Sequence, residues 1–128
     1  MDEREPIRCR VAACPEALDD GKSWSFYLIN DSGALLDSAE LYSIGYEWGG
    51  AGNSESPNVR VIGLVPGGHA LIWRDDGSGA DIRMDLSLRV HVRGRELQLN
   101  FEFPKLYLRE LQMIDSLGKP GWQVAAEA

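Results

Sequence analysis

The chain is 128 residues long, 44% apolar and 26% charged, with a net charge of −7 and a pI near 4.7. That length predicts a single domain, residues 1–128, able to bury about two-thirds of the surface its unfolded chain exposes and so to fold without metal or disulfide. A nucleic-acid partner normally demands a basic face, which the acidic balance argues against. No apolar window reaches the length of a membrane span, and the charged start Met1-Asp2-Glu3-Arg4-Glu5-Pro6 has no signal-peptide core, so no membrane partner and a cytoplasmic location are expected.

Residues 7–13 alternate, with Arg8 and Arg10 outward and Cys9 in phase with Ile7 and Val11, and predict a strand ended by Pro15. Cys9 and Cys14 would stand about 16 Å apart along it at about 3.3 Å per residue. A disulfide tolerates at most about 7 Å. Without a histidine cluster the two thiols make no zinc site either. Asp19-Asp20-Gly21 reads as a turn. Trp24–Asn30 (WSFYLIN) is apolar on both faces and predicts a strand in mid-sheet, followed by turn chemistry in Asn30-Asp31-Ser32-Gly33.

Residues 39–48 predict a third strand, whose apolar phase shifts between Leu41 and Tyr42, as at a β-bulge or where a strand changes sheets. Tyr42, Ile44, Tyr46 and Trp48 share one phase, which assigns Tyr42 and Ile44 to the core. Residues 49–58 are rich in glycine and serine and predict a long mobile connection. Strands over residues 59–65 and 69–74 follow, joined by Val65-Pro66-Gly67-Gly68, the pairing of a type II turn.

The strongest pattern comes next. Ile82, Met84, Leu86, Leu88, Val90 and Val92 alternate with polar residues, as do Leu97, Leu99, Phe101 and Phe103. A two-residue type II′ turn on Gly94-Arg95 would set Val92 opposite Leu97, Val90 opposite Leu99 and His91 opposite Gln98. Seven such strands predict an all-β, immunoglobulin-like Greek-key sandwich, without the Cys and Trp markers of antibody domains. Residues 104–128 form a C-terminal extension. There Pro104 ends a strand, Leu108, Leu111, Ile114 and Leu117 recur every three residues as in a short helix or 3₁₀ segment, and the tail after Trp122 is expected to fray.

Signals for chemistry are sparse. His69 and His91 are the two histidines, and neither Ser43 nor Ser87 lies in a nucleophile-elbow motif. Asp75, Asp76, Asp81 and Asp85 lack the alternating ligands and closing Glu of a calcium loop, and Gly49, Gly50 and Gly52 lack the ending of a P-loop. No metal, cofactor or catalytic set is expected. Tyr46 and Trp48, with Asn53 and Glu55 across the glycine-rich break, make a candidate binding surface of aromatic and polar groups. The predicted function is a non-catalytic protein-interaction or accessory module whose partner is another protein. The alternative is a carbohydrate- or small-ligand-binding domain using the Trp48 loop.

Overall fold

The computed structural model describes residues 6–16, 23–48, 51–75, 83–105 and 110–128, and at positions 48, 51 and 53 it describes the backbone. The described residues form strands β1 (Arg8–Pro15), β2 (Trp24–Asn30), β3 (Leu36–Trp48), β4 (Ala51–Glu55), β5 (Val59–Leu64), β6 (His69–Asp75), β7 (Arg83–Val92), β8 (Arg95–Phe103), β9 (Gln112–Ile114) and β10 (Lys119–Glu127). One sheet runs β6-β2-β1-β10-β9. The other runs β4-β3-β7-β8, with β5 also paired to β3. Ten strands thus stand where seven were expected, and no described residue is helical.

The two sheets share one core. Val11, Phe26 and Leu28 of the first face Leu41, Leu86, Leu88 and Phe101 of the second, all almost fully buried. Phe26 meets Phe103 edge to face across the sheets, with ring centroids 5.3 Å apart. Trp24–Asn30 forms a strand as expected, buried on both faces between β1 and β6. A smaller cluster of Ala12, Cys14, Ile29 and Ile114 covers the outer face of that sheet. No helix among the described residues is long and apolar enough to cross a membrane.

The long hairpin forms, in a register displaced from the expected one. Val90 pairs with Leu97, Leu88 with Leu99, Leu86 with Phe101 and Met84 with Phe103. Each β7 residue therefore meets a partner two positions earlier in β8 than predicted. The turn sits on Arg93-Gly94, both at positive φ (52° and 75°), the pattern of a type I′ turn. Alternation cannot separate these registers, because a shift of two keeps every side chain on its own face.

The phase shift in β3 is a bulge. Leu41 pairs with Leu88 and Ser43 with Ser87, which leaves Tyr42 as the extra residue. The bulge corrects the expectation for Tyr42. Its ring is half-buried beneath the Arg89 guanidinium, 4.1 Å from the ring centroid, whereas Ile44 is fully buried as expected.

The predicted connection over residues 49–58 is largely strand. β4 pairs with the C-terminal half of β3 and β5 with the N-terminal half. Between them Asn58 takes a positive φ of 56°, which asparagine tolerates better than most residues. Residues 49 and 50 lie outside the described residues. The Val65-Pro66-Gly67-Gly68 turn forms as expected, with Gly67 at φ 77° and the Gly68 N–H donating to the Val65 carbonyl at 2.9 Å.

The C-terminal extension also differs from expectation. β9 and β10 form a hairpin, with Ile114 opposite Lys119, and β10 inserts between β9 and β1. Trp122, Val124 and Ala126 point to the core, while Gln123, Ala125 and Glu127 face outward. The tail is tied down, because Ala128 and Ile7 exchange two backbone hydrogen bonds of 2.9 Å. A three-residue recurrence is a weak helix signal, and Gly118, Pro120 and Gly121 are poor helix formers. Residues 106–109, including Leu108, lie outside the described residues.

Candidate interaction site

The β3–β4 pairing sets Ile44 opposite Glu55, Tyr46 opposite Asn53 and Trp48 opposite Ala51. The register therefore gathers the four candidate binding residues on one short hairpin rather than on a loose loop. The Tyr46 ring packs against the margin of the core, and its hydroxyl donates to the Glu55 carboxylate at 2.6 Å. The side chains of Trp48 and Asn53 lie outside what is described. Beside the hairpin a cavity of about 520 Å³ opens over Met84, Phe103 and Pro104, with Glu47, Arg83 and Glu102 on its rim. Arg83 and Glu47 approach to 3.9 Å across it, an exposed pair worth little in stability.

A second feature was not visible in the sequence. Among the described residues five large apolar side chains stand exposed: Leu35, Ile62, Val65, Leu71 and Met113. The first four lie on β5, on β6, in the turn between them and just before β3, with Leu71 opposite Tyr27 on the outer face of one sheet and Ile62 opposite Ser38 on the outer face of the other. Ile62 lies on β5, an outermost strand of one sheet, and Leu71 on β6, the outermost strand of the other. Val65 belongs to the turn that joins them. Leu35 precedes Leu36, which pairs with Leu64 beside Val65. Ile62, at 68% exposure, and Val65, at 56%, are far from covered. An outermost strand also carries backbone N–H and C=O groups with no neighbour on its open side.

The hairpin register creates a third feature. His91 lies opposite Glu96, not Gln98, and opposite Ser38 on the other side. The Ser38 Oγ is 3.1 Å from His91 Nδ1, and His91 Nε2 is 3.1 Å from Glu96 Oε1. Ser43 and Ser87, the serines considered from sequence, face each other two rows away.

The remaining candidates divide between structural roles and undescribed residues. Cys9 and Cys14 are buried free thiols on opposite faces of β1, Cys9 in the main core and Cys14 in the outer cluster. Burial pushes the Cys9 thiol up to about 12, helped by nearby Asp31, and the Cys14 thiol up to about 11. Above Cys14, Lys119 Nζ lies 2.9 Å from the Tyr27 hydroxyl and 3.4 Å from Glu16. The buried Ser25 hydroxyl leans on Glu16 and, with Lys119 and Tyr27, holds that carboxyl below its usual range, without completing a hydrogen bond of good geometry. The Tyr27 hydroxyl in turn raises the Lys119 ammonium, so that the lysine stays protonated. Asp75 is buried opposite Trp24, and Asp85 lies between Gly45 and Glu102. Asp76 and Asp81 lie outside the described residues, among which no group of three or more His, Cys, Asp or Glu is placed to hold a metal. Comparison with protein families, with curated proteins and with solved structures returned no match.

Proposed function

We propose that this domain is a protein-interaction module of immunoglobulin-like type, without catalytic duty in its main role, which engages another protein along its β5–β6 side. One observation carries the reading: among the described residues, four of the five exposed large apolar side chains belong to the outermost strands β5 and β6, to the turn that joins them and to the residue before β3. Scattered exposed leucines need no explanation, but apolar groups gathered on an unpaired edge invite a partner strand. An extended segment of the partner would gain backbone hydrogen bonds from an edge strand, with apolar contact from Ile62 and Val65 at β5 or from Leu71 at β6. The acidic chain favours partner segments of neutral or basic character. Cytoplasmic residence is part of the same proposal.

A photo-activatable residue placed at position 62 or 71 and irradiated in the source cell tests it. Discrete adducts are expected from both positions and none from position 98, on the polar face of β8. Equal adducts from position 98 would remove the reason to single out this edge.

The second reading, a carbohydrate- or small-ligand-binding domain using the Trp48 loop, is favoured by the cavity beside the β3–β4 hairpin. Against it, the hydroxyl of Tyr46 is already committed to Glu55.

A further inference from the structure

We propose that Ser38 is a histidine-activated nucleophile that accepts acyl groups from small activated esters, with His91 as its general base and Glu96 as the positioning residue. The argument starts from register. Ile62, Ser38, His91 and Glu96 form one continuous row across β5, β3, β7 and β8. Strands hold such neighbours at fixed spacing, so the arrangement needs no loop to order itself.

The direction of the hydrogen bonds follows from chemistry. An ionised carboxylate accepts and cannot donate, so the 3.1 Å contact from His91 Nε2 to Glu96 places the ring proton on Nε2. Nδ1 is then the acceptor, and the Ser38 hydroxyl at 3.1 Å donates to it. That is the nucleophile–base–orienting acid relation of hydrolytic triads, with the roles of the two ring nitrogens exchanged.

The step balances within these groups. The Ser38 oxygen bonds the ester carbonyl carbon while its proton passes to Nδ1. The bond from that carbon to the leaving oxygen then breaks, and the imidazolium returns the proton to the departing alcohol. Water, deprotonated by the same nitrogen, later releases the acid and restores Ser38. The exposed Ile62 side chain beside Ser38 offers apolar contact for a short acyl group. One row along, Arg60 and Arg89 both approach Glu40, at 4.0 and 3.9 Å, and Arg89 stacks on Tyr42, so these charges are held by their own partners. The face is open to water, so the chemistry is that of a slow acyl acceptor suited to small activated substrates.

The test uses the whole chain with a fluorophosphonate probe and with p-nitrophenyl acetate. Mass spectrometry should locate the phosphonyl adduct on Ser38. His91→Ala should slow that labelling roughly 100-fold, the lower end of what a general base supplies. Added imidazole should restore part of the rate in His91→Ala and leave Ser38→Ala inert. The ¹⁵N spectrum of His91 should show the Nε2–H tautomer in the wild type and lose that preference in Glu96→Gln. Urea melts of each variant separate loss of reactivity from loss of fold. An adduct elsewhere, labelling indifferent to His91→Ala, or ester hydrolysis that survives Ser38→Ala would overturn the proposal.

Discussion

Gly121→Ala is the sharpest test of how the C-terminal strand is built into the sandwich. A Cβ at position 121 would meet the Ala13 carbonyl oxygen at 2.7 Å, Cys14 Sγ at 2.8 Å and Ile114 Cδ1 at 2.9 Å. Ordinary contact begins near 3.4 Å, so the added carbon overlaps its three neighbours by about 0.5–0.7 Å. One of those neighbours is backbone, held in the β1 ladder, and cannot swing aside as a side chain would. Overpacking a fixed site costs about 1–3 kcal/mol, and the carbonyl contact places this variant near the upper end. A frayed tail would give the opposite sign, because replacing glycine by alanine where the chain is unconstrained stabilises by about 0.4–1 kcal/mol through the unfolded state. Gly33→Ala is the control, since nothing lies within 4 Å of its would-be Cβ. Urea melts followed by tryptophan fluorescence should show Gly121→Ala with a lower midpoint and an unchanged slope, and Gly33→Ala at or slightly above the wild type. A Gly121→Ala midpoint equal to or above the wild type would refute the packing of β10 between β1 and β9.

Leu88 is fully buried between Leu41 and Leu99, so Leu88→Ala should cost roughly 2–5 kcal/mol in the same melts. Arg89→Ala on the outer face should cost no more than about 1 kcal/mol, the scale of an exposed ion pair and cation–π contact. The buried Asn30 amide donates to the carbonyls of Ala34 and Leu64 at 2.9 and 3.0 Å, and its oxygen accepts from the Ser32 N–H. Asn30→Ala strands all three groups and should cost at least about 2 kcal/mol. Cys9 and Cys14 bind their protons more tightly folded than unfolded. Stability should therefore fall as pH rises from 9, where the unfolded thiols begin to ionise, towards about 12, and iodoacetamide should modify neither residue at neutral pH until the protein unfolds.

How far the structure was legible in the sequence depended on which physical signal each segment carried. Alternation in residues 82–92 and 97–103 announced an amphipathic hairpin because burial on one face demands period 2. It could not fix the register, because Val90 meets a leucine at Leu97 and at Leu99 alike. In the observed register Arg93 and Gly94 take the two central turn positions, both at positive φ, and such a turn matches the strand twist. The break in phase at Tyr42 was legible as a bulge, but not which way the extra ring would turn. β4, spelled Ala-Gly-Asn-Ser-Glu, has no strand propensity of its own and forms by pairing with β3. β10 was obscured in the same way, since its partner β1 lies more than 100 residues away. Of the candidate site, the backbone register sets Tyr46 opposite Asn53 and Ile44 opposite Glu55 on a paired hairpin, where the sequence suggested a loop. The Ser38–His91–Glu96 row depended wholly on the register, and the apolar β5–β6 side on which strands end the sheets. No local pattern encodes either.

The most direct test of the interaction proposal is a parallel capture from the source cell with three versions of the chain: wild type, Ile62→Glu/Leu71→Glu and Trp48→Ala. Both substitutions on the β5–β6 side replace exposed side chains, so that variant should melt within about 1 kcal/mol of the wild type. Partners bound by the wild type should remain bound to Trp48→Ala and be lost from the double variant. Capture that survives the double variant and disappears with Trp48→Ala would contradict the edge and return the binding site to the β3–β4 hairpin.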